Sequence, residues 1–283
     1  MFKVCVLGSG SSGNCTAVWS GRTRLLIDAG LDPEDVQGEL KRLGLARIDG
    51  ILITHAHTDH IGWQTYELAV DLRIPVYCNR TTWREAKRKC EDLEELELGR
   101  RKLVRFFDGT PFRVGDLRVS PFRVPHAGLG QRNGRQHAGL PVGFAIAYMH
   151  RGRTYGLGYS TDLGHVPDSV IAHLSDVDVL VIEANHCERL VDKVGAFHGT
   201  WVKSDFGHLN NYDAAWAIVK ISGRRSNGPK PLRALLAHIS KDHNTETRAL
   251  RQVRGILKEC EVEIAGLYLT YRDRRSRVID IAG

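Results

Sequence analysis

Short apolar runs alternate with turn signals along the N-terminal part of the chain. Lys3–Leu7, Thr16–Trp19, Leu25–Ile27 and Ile51–Ile53 each have the length and β-branched content of a strand. Asp32-Pro33 opens a helix, with a capping aspartate followed by proline in the first turn. Its apolar positions Val36, Leu40 and Leu43 lead to a stop at Gly44. Ile61–Leu72 and Trp83–Leu96 follow the helical period and flank the strand-like run Pro75–Cys78. In the second half, Leu117–Val124, Val142–Met149 and Thr154–Tyr159 read as strands, and Val177–Ile182 and Leu232–Leu236 as buried ones. Asn211–Ile221 and Thr245–Lys258 read as amphipathic helices, and Ile264–Tyr271 with Val278–Ile281 closes the chain. Two β-rich halves that carry helices and meet without a linker predict a layered α/β sandwich, one domain over residues 1–283.

Composition narrows the class. The 283 residues are 42% hydrophobic and 26% charged, a globular balance that excludes a disordered chain. No stretch reaches the ~18–20 uninterrupted apolar residues of a membrane span. The opening residues lack the apolar core of a signal peptide, so a cytoplasmic protein without a membrane partner is expected. The six cysteines are scattered with no CxxC pair, which predicts reduced, mostly buried thiols. The formal charge is +7, with 29 arginines against 11 lysines. Arginine's planar fork matches phosphate bidentately, so the balance suits a polyanionic partner.

The strongest chemical signal is Thr54-His55-Ala56-His57-Thr58-Asp59-His60, directly after the apolar run Gly50–Ile53. On an extended chain His55 and His57 point the same way. Asp59 and His60 fall where the chain turns toward the next helix. One segment can thereby feed two neighbouring metal positions, with imidazoles suited to zinc and a carboxylate to neutralise charge. Three further groups stand at strand ends: His126 in Val124-Pro125-His126, Asp162 in Ser160-Thr161-Asp162, and His238 in Leu236-Ala237-His238. His137 competes with His126 within the same glycine-rich stretch. A strand end fixes a ligand better than a loop, which favours His126.

HxHxDH after a strand, with Leu26-Ile27-Asp28-Ala29-Gly30 upstream, resembles the metallo-β-lactamase superfamily. The resemblance spans essentially the whole chain and implies an αββα four-layer sandwich with a dinuclear metal site at one edge. It implies that His55, His57 and His126 hold one ion, that Asp59, His60 and His238 hold the other, and that Asp162 bridges them. Asp28 is then expected behind the ligands, accepting an N–H from a bound imidazole. A bridging aspartate at 162, where the β-lactamases offer cysteine, points to the phosphodiesterase and lactonase branches. His57 stands where the diiron flavoprotein branch carries glutamate, which favours a hydrolytic zinc or manganese pair, with iron as a further candidate. Within the superfamily, Gly8–Cys15, Ser160–Gly164, Glu183–His186, Gly207-His208-Leu209 and Ala237–Ser240 are similar to the YycJ/WalJ-like group, described as exonucleases acting on DNA. The segment Ala127–Leu140 is longer and more basic than that group's link to the Pro-Val-Gly-Phe strand.

Secondary features remain open between function and scaffold. Gly8–Gly13 reads either as a phosphate cradle or as a tight turn. His186 is a candidate for catalysis, at a substrate phosphate or the leaving group. His208, ahead of the helix beginning near Asn211, is a candidate phosphate contact. Arg132 and Arg135 suit the DNA backbone, whereas Arg84–Lys89, Arg100–Arg105 and Arg272–Arg277 read as solvated faces. Trp63, Trp83 and Trp201 are the tryptophans available for base stacking.

The expected chemistry is two-metal phosphodiester hydrolysis. Ions ~3.5–4 Å apart would lower the pKa of a water held between them toward ~7. Asp162 would hold the pair and Asp59 would orient the nucleophile, with DNA favoured over RNA as substrate. The alternatives are a hydrolase of small esters, thioesters or lactones on the same scaffold, and a non-catalytic metal-containing binding protein.

Overall fold

The computed structural model describes residues 1–100, 102–127, 138–192, 196–224 and 232–282, with backbone only at 196–198. Strands β1 (Phe2–Gly8), β2 (Cys15–Ser20), β3 (Arg24–Ile27), β4 (Gly50–Leu52), β5 (Val76–Asn79) and β6 (Val104–Phe107) form most of a first sheet. Strands β7 (Phe112–Val114), β8 (Leu117–Arg123), β9 (Val142–His150), β10 (Arg153–Ser160), β11 (Val179–Glu183), β12 (Arg233–Ala237) and β13 (Gly266–Leu269) form a second. The last strand, β14 (Ile279–Asp280), returns to the first sheet and pairs antiparallel with β1, Lys3 opposite Asp280. The orders are β14-β1-β2-β3-β4-β5-β6 and β13-β12-β11-β10-β9-β8-β7.

Period-two alternation assigns the faces. Val4 and Val6 join Ile27, Leu52, Phe144, Leu157, Val181 and Leu235 between the sheets. Their neighbours Cys5 and Leu7 face the other way, with Leu26, Ile51, Val36, Leu40, Leu68 and Trp83 in the layer between the first sheet and its helices. Leu180, Ile182 and Leu236 pack on Ile171, Ile218 and Val253 on the outer face of the second sheet. The result is the expected αββα order of layers.

One expectation is corrected. The run Trp83–Leu96 is two helices, Arg80–Lys87 and Leu93–Leu98, broken at Arg88–Asp92. The second helix folds back so that Glu97 accepts from Trp83 Nε1 at 2.7 Å and Lys87 Nζ at 2.8 Å. The C-terminal run Val278–Ile281 crosses to the first sheet. Among the described residues no helix is long and apolar enough to cross a membrane. All six cysteines are free, four of them buried.

Strands β3 through β6 run parallel, as do β10 through β13. The C-terminal ends of each set therefore share one edge of the sandwich. β8 reaches the same edge, because it and β10 both lie antiparallel to β9. Asp28, His55, His126, Asp162 and His238 all leave the sheets there.

Candidate metal centre

Asp28, Asp162 and His238 follow β3, β10 and β12 and share a left-handed backbone, with φ of 58°, 58° and 52°. That conformation costs non-glycine residues of the order of 1–3 kcal/mol and persists only where surroundings enforce it. Here it turns each side chain off its strand and into the sandwich edge.

The segment 55–60 is clamped by backbone. Ala29 N donates to His60 O at 3.0 Å, Asn14 N to Asp59 O at 2.8 Å and Gly30 N to Asn14 O at 3.0 Å. A Cβ at Gly30 would lie 1.9 Å from Asp59 O, so this contact requires glycine.

Two sets of donors result. In the first, His57 Nδ1 lies 2.9 Å from His55 Nε2 and 3.3 Å from His126 Nε2. In the second, His60 Nε2 and His238 Nε2 lie 3.3 and 3.6 Å from Asp59 Oδ2. Asp162 Oδ2 stands 3.3 Å from His60 Nε2, with His55 and His60 close enough to share a ligand with it.

Hydrogen bonds on the far side of each ring decide which nitrogen is a donor. His126 Nδ1 donates to Gly207 O at 2.9 Å, His60 Nδ1 to Asp28 Oδ2 at 2.8 Å and His238 Nδ1 to Glu183 Oε1 at 2.9 Å. The Thr54 hydroxyl donates to Asp28, which leaves its oxygen to accept from His55 Nδ1 at 3.0 Å. In the neutral rings all four Nε2 atoms then carry lone pairs pointing inward. His238 Nε2 and Asp162 Oδ2 are buried without a hydrogen-bond partner among the described residues. Lone pairs facing one another at such distances repel unless a cation lies among them, and imidazoles with carboxylates are the donor set of zinc and manganese. The residues fit a pair of divalent ions.

Electrostatics divide the two sets. Burial, reinforced by neighbouring imidazoles, pushes His55 well below its usual value; it lowers His57 to about 3 and His126 to about 4, so these rings are neutral near pH 7. Burial would also lower His60 and His238, but carboxylates overcome it. Asp59, Asp162 and Asp28 hold His60 well above its usual value, and Asp162, Asp59 and Glu183 raise His238 to about 10. Burial works against ionisation of Asp59, Asp162 and Glu183, yet their histidine partners hold all three below the usual carboxylate range. Burial raises Asp28 even against His60; with Asp59 and Asp162 also pulling on that ring, the shared proton sits on His60 Nδ1.

Glu183 is the residue that sequence reasoning left without a role. Wholly buried, it accepts from His208 Nδ1 at 2.8 Å, His238 Nδ1, and the amides of Leu163 and Leu209 at 3.0 and 3.1 Å. Asn14 is a second: its Nδ2 lies 3.1 Å from Asp59 Oδ2 and 3.0 Å from His60 Nε2. The glycine loop forms a tight turn that holds Asn14. Its Gly10 amide donates to Asn14 Oδ1, and Ser9 Oγ accepts from His238 N at 2.9 Å.

A cavity of about 620 Å³ opens over the centre, lined by His57, Asp59, Asp162, His208 and His238, with Lys89 and Trp201 on its walls. His208 belongs here through Glu183 rather than through a helix end, because Asn210 caps the helix Asn211–Gly223. His186 is set apart: it is buried and does not line the cavity, while its neighbour Asn185 does. Neither His186 nitrogen has a hydrogen-bond partner among the described residues, and burial lowers the ring to about 4. Of the tryptophans, Trp83 is buried, Trp63 is exposed beside Asp59 and Lys89, and Trp201 packs edge-on against His126 and His208. Arg132, Arg135 and His137 lie outside the described residues.

The Beta-lactamase superfamily domain matches residues 23–239. The chain belongs to the metallo-β-lactamase superfamily. Within that superfamily it is 29% identical over 277 residues to "Exodeoxyribonuclease WalJ" of Streptococcus pneumoniae serotype 2, covering 95% of this chain and 93% of that protein. It is 30% identical over 261 residues to "Exodeoxyribonuclease YycJ" of Bacillus anthracis, covering 90% and 88%. Among solved structures, the metallo-β-lactamase fold protein YhfI of Bacillus subtilis superposes with a TM-score of 0.67 at 16% identity, covering 99% of this chain and 100% of that one. Likeness at that identity shows the superfamily fold alone.

Proposed function

We propose that this chain is a metal-dependent phosphodiester hydrolase that removes nucleotides from DNA. The observation that carries the reading is the set of inward-facing Nε2 atoms of His55, His126, His60 and His238, gathered around Asp162 at the floor of an open cavity. The names of the two relatives supply the substrate class.

When bound, two divalent ions of zinc or manganese type would polarise phosphoryl oxygens and supply an activated water. His55, His57 and His126 would hold one, Asp59, His60 and His238 the other, and Asp162 would lie between them. Asp59 keeps its side chain 20% exposed to the cavity, where its carboxylate would accept a hydrogen bond from the attacking water and orient it. His208, with Nδ1 held by Glu183, would donate a proton to the leaving oxygen. Lys89 and Trp201 on the walls would meet a phosphate and a base.

The test is end-labelled DNA and RNA, with a panel of small esters and lactones, incubated with purified protein in Mn²⁺ or Zn²⁺. Stepwise loss of nucleotides from DNA is expected, falling at least ~100-fold, or ~2.7 kcal/mol of barrier, in Asp162→Ala. An Asp162→Ala variant as active as the parent, or turnover confined to esters, would overturn it.

A further inference from the structure

Beyond the metal centre, the edge strands β6 and β7 and the loop between them border a second concavity of about 980 Å³. Four exposed arginines line it from four different elements. Arg80 begins the helix after β5, Arg105 lies on β6, Arg113 on β7, and Arg123 ends β8. None of the four makes an ion pair among the described residues, whereas Arg42 and Arg275 sit on Glu39, Arg88 on Glu85 and Arg224 on Asp168. Among the described residues the one acidic group on the wall is Asp108, and its carboxylate is engaged by Thr110 N and Oγ1. Like charges collected in a concave surface repel one another and focus a field that attracts anions.

The same walls carry π faces. Tyr77 and Phe107 each stack on Phe112 with centroids 5.5 Å apart, and His173 stacks on Phe122 at 5.1 Å. Arg80 lies 4.3 Å over the Phe106 ring. Tyr77, Phe112 and His173 retain solvent exposure at the groove. Arginines dispersed along a groove and interleaved with aromatic faces match a chain of phosphates carrying unpaired bases. A single small anion would need those arginines to converge.

The groove and the metal centre are built on neighbouring strands. β5 lies beside β4 and parallel to it with Leu52 opposite Tyr77, so Arg80 and His55 each stand three residues beyond that last pair. Arg123 is three residues before His126. Val142, on the groove wall, donates its N–H to Thr54 O at 3.0 Å, and the Thr54 hydroxyl touches His55.

We infer that this arginine–aromatic groove holds a single-stranded segment of the DNA substrate while its end occupies the metal centre. The inference rests on the DNA-hydrolase reading and adds a second contact surface to it.

The test measures anisotropy of a fluorescent phosphorothioate DNA of ~20 nucleotides on the metal-loaded protein, long enough to leave the active site and cross the groove. Arg80→Ala/Arg113→Ala is expected to weaken binding ~10-fold or more and to reduce the salt slope by ~0.7 for each phosphate that is no longer neutralised. Phe112→Ala is expected to weaken binding with the slope unchanged. Arg251→Ala/Arg254→Ala, which removes equal charge from the helix Glu246–Glu259, should bind like the parent. Turnover of bis(p-nitrophenyl) phosphate, too small to reach the groove, should be retained in Arg80→Ala/Arg113→Ala. If the groove variant binds DNA as the helix control does while the parent still degrades DNA, the groove assignment fails and the DNA-hydrolase reading stands. A parent that turns over the small diester yet neither binds nor degrades DNA sinks both, and tighter binding of an RNA of the same length overturns the assignment to DNA.

Discussion

His60 Nδ1 and Asp28 Oδ2 lie 2.8 Å apart with both side chains wholly buried, so an aspartate from the end of one strand fixes the ring of a candidate ligand carried by the next. Asp28 does more than hold His60. Its Oδ1 accepts from the Thr54 amide at 2.9 Å and its carboxylate takes the Thr54 hydroxyl, whose oxygen orients His55. One carboxylate thereby sets the angle of a ring in each donor set.

Asp28→Ala is expected to loosen both rings and to leave His60 Nδ1 buried without an acceptor. Supporting residues of this kind are worth about 10–100-fold in metal affinity. Metal content after dialysis against a weak chelator should fall in Asp28→Ala and fall less in Asp28→Asn, which keeps an acceptor oxygen. Equal metal retention in all three proteins would show that the ring needs no such anchor.

Acidity gives a separate forecast for the metal-free protein. His57 and His126 are depressed to about 3 and about 4 from 6.5, so the unfolded chain binds more protons than the folded one below 6.5. Stability contributed by these rings therefore rises with pH up to about 6.5. His238 is raised to about 10 from 6.5, so its contribution is complete below 6.5 and is lost as pH climbs through 10. Thermal midpoints of the chelated protein should peak between these limbs. Zn²⁺ or Mn²⁺ should flatten the alkaline limb, because a cation replaces the His238 proton. An alkaline limb that persists with metal bound would contradict the placement of His238.

Gly30→Ala tests the backbone clamp. The added methyl meets Asp59 O at 1.9 Å and Asp59 C at 2.2 Å, atoms that cannot rotate away. Overpacking of this kind costs about 1–3 kcal/mol. Displacement of Asp59 should also lower metal occupancy below the parent's. Gly21→Ala, with nothing within 4 Å of the new Cβ, is the matched control and should leave metal content unchanged. Urea denaturation and elemental analysis on the pair suffice.

The layers and the strand-end positions were legible because each depends on local pattern. An apolar run ending in a histidine or aspartate says where a side chain leaves a sheet, and His126, Asp162 and His238 do meet the 55–60 segment in space. What was not legible depends on partners distant in sequence. Glu183 reads as the last residue of an apolar strand until β11 is seen between β10 and β12, where it faces His238 and His208 together. Asn14 is hidden in a glycine loop for the same reason. His186 shows that a motif gives adjacency along the chain and not which neighbour reaches the cavity wall, which here is Asn185. The helix expected over Trp83–Leu96 failed because the apolar spacing continues through a turn that Glu97 closes from the far side.

Glu183→Gln and Glu183→Ala separate orientation from charge. The carboxylate takes four hydrogen bonds in a wholly buried position, two of them from imidazoles. Removing one partner from a buried charged network costs about 3–5 kcal/mol, so Glu183→Ala should unfold at markedly lower urea. Glutamine keeps the shape but loses one acceptor oxygen, so it can serve the two amides or the two rings but not all four. With Nδ1 of His238 no longer held as a donor, that ring can turn over and withdraw Nε2 from the centre. Metal affinity should then fall by about 10–100-fold while the fold survives. The alkaline limb of metal-free stability should also shrink in Glu183→Gln, since Glu183 is one of the three carboxylates that raise His238. A glutamine variant with parental metal affinity and an unchanged alkaline limb would show that Asp59 and Asp162 hold His238 without it.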